Sequence, residues 1–115
     1  MKKTFLPAHL TGTVSAPASK SEAHRRMICA GLTKGETVLT GFMDSADMAA
    51  TMRCLGALGS TFNRDGDTLT ISGMQGKIAK MPVMDCGESG STLRFFVPIA
   101  LTVAGGTVFR MHGRL

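Results

Sequence analysis

Apolar positions along the chain recur with two periods, and the changes of period divide it into elements. From Ser21 to about Leu32, Ala23, Met27 and Ala30 return at helical spacing, with Glu22, His24, Arg25 and Arg26 between them. This pattern predicts a helix capped by Ser19 or Ser21 and closed by Gly35. Thr37-Val38-Leu39-Thr40 reads as a strand. A second helix starts at Asp44 or Ser45, and its Met48, Met52, Leu55 and Leu58 form one apolar stripe of core fillers before Gly59 ends it. Thr61-Phe62-Asn63 and Leu69-Thr70-Ile71 flank Asp65-Gly66-Asp67, the pattern of a β-hairpin. Pro82-Val83-Met84 predicts a short strand. A third helix runs from about Ser91 to Ala104, apolar almost all round and so expected to be buried, with a kink near its start because of Pro98. Gly105-Gly106 stop it before a last strand, Thr107-Val108-Phe109.

Gly35-Glu36-Thr37-Val38, Gly59-Ser60-Thr61-Phe62 and Gly106-Thr107-Val108-Phe109 are each a helix-ending glycine followed by a strand, a weak internal repeat. Helices alternating with strands, plus one hairpin, give an α/β (α+β) chain of βαβαββ-like units. The 115 residues make one domain at most, and the abrupt stop after a strand at His112-Gly113-Arg114-Leu115 fits a piece of a larger repeat-built protein. Residues 1–18 are expected as a strand or hinge segment and 19–115 as the packed region.

Charge narrows the partners. Lys and Arg number 13 against 8 Asp and Glu, a formal charge of +5 that favours anions. The basic residues are scattered and the chain has no Trp or Tyr, so nucleic acid is not the expected partner. Cys29, Cys54 and Cys86 fit no zinc spacing and read as reduced, buried thiols; the histidines are equally scattered, so no metal is expected. Thr4-Phe5-Leu6-Pro7-Ala8-His9 is not the apolar core of a signal peptide, and Phe95 to Ala104 is too short to span a bilayer. A cytoplasmic protein without membrane partners is expected.

Two turns carry the candidate chemistry: Ser19-Lys20-Ser21-Glu22-Ala23-His24-Arg25 and Gly87-Glu88-Ser89-Gly90-Ser91-Thr92-Leu93-Arg94. Each opens a predicted helix, whose first N–H groups are unpaired and whose dipole favours negative charge. The hydroxyls add donors, Gly90 allows close approach to the backbone, and Arg25 and Arg94 each lie one turn on from Ser21 and Gly90 on the same helix face. Neither turn is a P-loop or a dinucleotide fingerprint. Asp44-Ser45-Ala46-Asp47 reads as a capped helix start with acidic residues on its dipole.

The order of these motifs carries a resemblance. Pro17-Ala18-Ser19-Lys20-Ser21 with Arg25, Gly35-Glu36-Thr37, Asp44-Ser45-Ala46-Asp47, Leu55-Gly56-Ala57-Leu58-Gly59 and Asp85-Cys86-Gly87-Glu88-Ser89-Gly90-Ser91-Thr92-Leu93-Arg94 together resemble the N-terminal part of the EPSP synthase (3-phosphoshikimate 1-carboxyvinyltransferase) family, from about Leu10 to Leu115. The resemblance implies an enolpyruvyl transferase fold, an inside-out α/β barrel of βαβαββ units in two lobes, of which only the first part of the first lobe is present. It implies transfer of the enolpyruvyl group of phosphoenolpyruvate to the 5-hydroxyl of shikimate 3-phosphate in the shikimate pathway, by a full-length monomer without metal or organic cofactor. The segment alone is expected to be inactive.

By the same resemblance, Lys20 is catalytic and touches both substrates. Ser21 and Arg25 bind shikimate 3-phosphate, Gly90 binds phosphoenolpyruvate with Ser91 beside it, and Arg94 buttresses the second turn. Three positions depart from the commonest family pattern: Glu88 stands where many members carry Asn, Phe95 where many carry Pro, and Ala18 for a frequent Gly. Glu88 puts a negative charge near an anion site. Two other readings stay open on the residues. A sister transferase acting on UDP-N-acetylglucosamine typically has Asn after the motif lysine, where this chain has Ser21, and a non-catalytic anion-binding module needs only the two turns.

Overall fold

A computed structural model describes residues 1–76, 78 and 80–115. Three helices, α1 (Lys20–Leu32), α2 (Ala46–Ala57) and α3 (Gly90–Val103), alternate with five strands, β1 (Glu36–Leu39), β2 (Thr61–Asp65), β3 (Thr68–Ser72), β4 (Val83–Gly87) and β5 (Val108–Met111). The elements follow one another in the order that the periodicity predicts. No helix or strand forms within residues 1–18.

The strands form two sheets. In the first, β3 is central and pairs antiparallel with both β1 and β2, in the order β1-β3-β2. The hairpin β2–β3 closes at Asp65↔Thr68 around Gly66, whose φ of +57° is the left-handed conformation the tight turn demands. The second sheet is a parallel pair, β4 and β5, joined through α3 as a βαβ unit. Leu69 and Ile71 of β3, and Met84 and Cys86 of β4, alternate into the core as expected of sheets buried on one face.

α2 lies at the centre of the fold, packed against α1, α3 and β4. Met48, Leu55 and Leu58 of the expected stripe are buried and Met52 is half-buried. Ala50, Thr51 and Cys54 are buried as well, because α2 has neighbours on more than one side. Filling these positions supplies the main drive to fold, at roughly 1.5–3 kcal/mol for each fully buried Leu, Ile, Met or Phe side chain.

Two expectations are corrected here. α3 is not buried all round: Thr92, Phe96 and Ala100, four residues apart, are buried and Leu93, Phe95, Ile99 and Val103 are half-buried against the core, while Leu101 is 81% exposed and Val97 41%. The helix packs against α2 and β4, and Val97, Pro98 and Leu101 lie on its exposed side. Pro98 lies on the exposed side and the helix continues through it, since water can satisfy the carbonyl that its missing N–H leaves unpaired. Cys54 and Cys86 are buried thiols 3.8 Å apart, but Cys29 is exposed on α1.

Two glycines put the packing to the test. A Cβ on Gly73 would run into the backbone carbonyl of Thr33 and come within 2.7 Å of that of Ala30. Gly56, on the exposed side of α2, would meet nothing within 4 Å. Gly73→Ala is therefore expected to lower stability by about 2 kcal/mol or more, and Gly56→Ala to raise it by about 0.5–1 kcal/mol. Urea midpoints moving in the same direction for both variants would contradict this packing.

Candidate functional site

Each helix begins with a serine cap. Ser19 Oγ accepts from the N–H of Glu22 at 3.3 Å, Ser45 Oγ from Met48 at 3.2 Å and Ser89 Oγ from Thr92 at 3.3 Å. The carbonyls of the same serines take the N–H groups of Ala23, Ala49 and Leu93. Two N–H groups per helix then remain without a partner among the described residues, those of Lys20 and Ser21, of Ala46 and Asp47, and of Gly90 and Ser91. Ser19 rather than Ser21 is the cap of α1, and Ser45 rather than Asp44 the cap of α2.

Asp47 draws these three helix starts together. Its carboxylate forms an ion pair with the ammonium of Lys20, and its main-chain carbonyl accepts from Thr92 Oγ1 of α3 at 3.4 Å. The Lys20 ammonium first, and then the nearby Ser89 hydroxyl, hold the Asp47 carboxyl below the usual carboxylate range. Both sequence-predicted turns therefore meet at one spot on the surface, with the start of α2 between them.

Behind Asp47 runs a buried polar chain. Thr51 Oγ1 lies 2.9 Å from His24 Nδ1 and 2.9 Å from Thr92 Oγ1, and Thr92 Oγ1 lies 2.7 Å from Ser89 Oγ. His24, Thr51, Thr92 and Ser89 are all buried. Nε2 of His24 is also buried and has no hydrogen-bond partner among the described residues. Burial pushes the His24 ring toward its neutral form; Asp47 opposes this, and Lys20 and Arg25 reinforce it.

The predicted site residues fall as follows. Lys20 and Ser21 are exposed in the first turn of α1, and the Ser21 carbonyl accepts from Arg25 Nη1 at 3.2 Å. The Arg25 guanidinium lies over the Phe95 ring of α3, 5.9 Å from its centroid, and that ring is 6.2 Å from the ring of His24. Gly90 is half-buried; a Cβ there would meet only Leu115, at an ordinary 3.5 Å, so packing within the chain does not require glycine and the backbone is left open in front. Ser91 is exposed with Oγ 3.4 Å from Ser89 Oγ.

Arg94 does not hold the second turn through any hydrogen bond or ion pair among the described residues; Thr92 takes that part from the buried side. Glu88 turns away from the turn to accept the N–H of Arg114 at 3.0 Å, against Gly113, where a side chain would collide with it. A hollow of about 250 Å³ lies on another side of α1, beside Phe42, and its charged groups, Glu22 and Arg26, are paired with each other. It therefore has no uncommitted charge for an anion.

Sequence reasoning missed His24, Thr51 and Thr92, and gave Asp47 only a helix-dipole role. The available signal was an acidic first turn placed, in chain order, between two basic or hydroxyl-rich ones.

Three helix starts converging on one hydroxyl-rich, partly basic spot, carried on small antiparallel and parallel sheets, define an α/β protein of the βαβαββ type. A family model described as EPSP synthase (3-phosphoshikimate 1-carboxyvinyltransferase) matches residues 6–113, and the chain belongs to that family. Among relatives, the 3-phosphoshikimate 1-carboxyvinyltransferase of Clostridium perfringens is 48% identical over 117 aligned residues, covering 100% of this chain and 28% of the relative. That of Clostridioides difficile is 39% identical, covering 95% of this chain and 27% of the relative. An EPSP synthase structure from Acinetobacter baumannii superimposes with a TM-score of 0.73 at 24% identity, over 90% of this chain and 24% of that one, a likeness of fold. The chain thus spans little more than a quarter of the length of the curated relatives it matches. No helix among the described residues is long and apolar enough to cross a membrane.

The buried histidine yields a pH prediction. Its folded value lies below the ordinary 6.5, so as pH falls through 6.5 the unfolded chain takes up a proton that the folded chain refuses. Stability is therefore expected to be full above 6.5 and to decline with acid until the folded His24 itself titrates. Urea midpoints from about pH 7.5 to about pH 5.5 should fall in the parent and fall less in His24→Gln. An equal slope in both would show that His24 is not held neutral.

Proposed function

We propose that this chain supplies part of the substrate site of an enzyme that transfers the enolpyruvyl group of phosphoenolpyruvate to the 5-hydroxyl of shikimate 3-phosphate. A new C–O bond forms at C2 of the enolpyruvyl group, the C–O bond to phosphate at that carbon breaks, and the hydroxyl proton leaves with inorganic phosphate as the second product. Family membership supports the reaction. The observation that carries it to this surface is the meeting of the Lys20 and Gly90 turns at Asp47.

Both substrates carry a phosphate and a carboxylate, so holding them side by side demands donors and positive charge in one small region. Lys20 stands between the two turns and contacts both substrates. Ser21 and Arg25 take the phosphate of shikimate 3-phosphate, with Arg25 kept flat by the Phe95 ring. The open N–H groups of Gly90 and Ser91, with the Ser91 hydroxyl, take phosphoenolpyruvate. Arg94, exposed one turn on from Gly90, adds positive charge to that side. The protein acts as a monomer on small molecules, and the remaining acid–base groups belong to the larger part of the relatives that this chain does not span.

The test uses a full-length chain carrying this sequence as its N-terminal segment, assayed by phosphate release with both substrates. Lys20→Ala and Arg25→Ala are each expected to lower kcat/KM by about ten-fold or more, because each removes a charge-assisted hydrogen bond to substrate. The 115-residue chain alone is expected to show no turnover, since water is excluded only once the opposing part of the site closes over it. Near-parent activity in both variants would remove Lys20 and Arg25 from the site.

A further inference from the structure

The buried polar chain has a direction, and the direction follows from proton counting. Nε2 of His24 is buried with no acceptor among the described residues, so the neutral ring carries its proton on Nδ1 and donates it to Thr51 Oγ1 across 2.9 Å. Thr51 Oγ1 then gives its own proton to Thr92 Oγ1, also at 2.9 Å. Thr92 Oγ1 ends the chain between the Ser89 hydroxyl at 2.7 Å and the main-chain carbonyl of Asp47 at 3.4 Å. All three elements contribute: His24 from α1, Thr51 from α2, and Thr92 and Ser89 from the start of α3.

We propose that His24, Thr51 and Thr92 form a one-way hydrogen-bond strut that fixes the starts of α1, α2 and α3 against one another, and with them Asp47 and its ion-paired Lys20 ammonium, so that Thr51, Thr92 and Asp47 are positioning residues for enolpyruvyl transfer. The proposal rests on the functional reading above. The Lys20 side chain is exposed and has four rotatable bonds, and Asp47 is its one carboxylate contact among the described residues. A start of α2 released from Thr92 and Thr51 would leave Lys20 tethered to a moving partner. The effect falls on the reacting geometry rather than on substrate capture, because the strut hydroxyls are all buried.

The experiment has two arms in a full-length chain carrying this sequence. In the first, ¹⁵N-histidine NMR reads the His24 tautomer, with its signals identified by their loss in His24→Asn. The expected result is a proton on Nδ1 in the parent and in Thr51→Ser, and loss of that fixed tautomer in Thr51→Val. A proton on Nε2 in the parent would overturn the strut whatever the enzyme does. In the second, kcat and KM are measured for Thr51→Val, Thr51→Ser and Asp47→Asn, scaled to folded protein. Thr51→Val is expected to lower kcat about ten-fold while each KM changes less than about three-fold, with Thr51→Ser restoring the parent value to within about two-fold. Asp47→Asn should fall at least as far as Thr51→Val. A merely structural strut would lower thermal stability in Thr51→Val and leave kcat per folded molecule unchanged, which would overturn the positioning role. Absence of turnover in the parent would instead overturn the functional reading, while the tautomer would still decide whether the strut exists.

Discussion

The Asp47 carboxylate is the point on which the site's geometry turns. Three helix N-termini, each worth roughly half a positive charge, would repel one another if brought to one place without compensation. Asp47 sits in the first turn of α2, bonds the ammonium of Lys20 through its carboxylate and Thr92 Oγ1 of α3 through its main-chain carbonyl, and offsets that repulsion at close range. The ion pair itself is partly exposed and contributes little as an isolated interaction. Its importance is geometric, because it ties an exposed lysine to a buried polar chain that crosses all three helices.

How such a chain escapes sequence reading is instructive beside what did not escape. The helices declared themselves through i, i+3 and i+4 spacing, the hairpin through Asp65-Gly66, and the caps through serines three residues before a helical N–H. All of those signals are local. His24, Thr51 and Thr92 are separated by 27 and 41 positions, and nothing in a one-dimensional pattern pairs them. Each alone looks like an ordinary polar residue on a helix. The burial of α3 failed for a related reason: an apolar helix reports what it is able to bury, and Leu101 and Val97 show what the described structure does not cover.

Two of the three departures from the commonest family pattern, Phe95 and Glu88, also have structural accounts. Phe95 forms the platform between α1 and α3, with Arg25 over its face and the His24 ring beside it, so the bulk of this residue is used rather than merely tolerated. Glu88 does not oppose an anion at the second turn, because its carboxylate is directed at the N–H of Arg114 and the glycine before it leaves room. Thr92 and Ser89 set the second turn from within instead.

The positive charges of the site consequently differ in kind. Lys20 is already paired with Asp47, so an arriving anion meets an ammonium whose charge is partly offset and whose position is fixed. Arg25 has no carboxylate within ion-pair distance among the described residues; it donates to the Ser21 carbonyl and lies over an aromatic face. Its full charge, and the guanidinium donors left over, face the spot where Ser21 and the open N–H groups of α1 are found. Attraction of a phosphate therefore rests mainly on Arg25 and the helix starts, and alignment between the two turns on Lys20. That division explains why a lysine in a charge-demanding site keeps an aspartate as its partner: the carboxylate gives up some electrostatic attraction at Lys20 and gains a defined position for its ammonium.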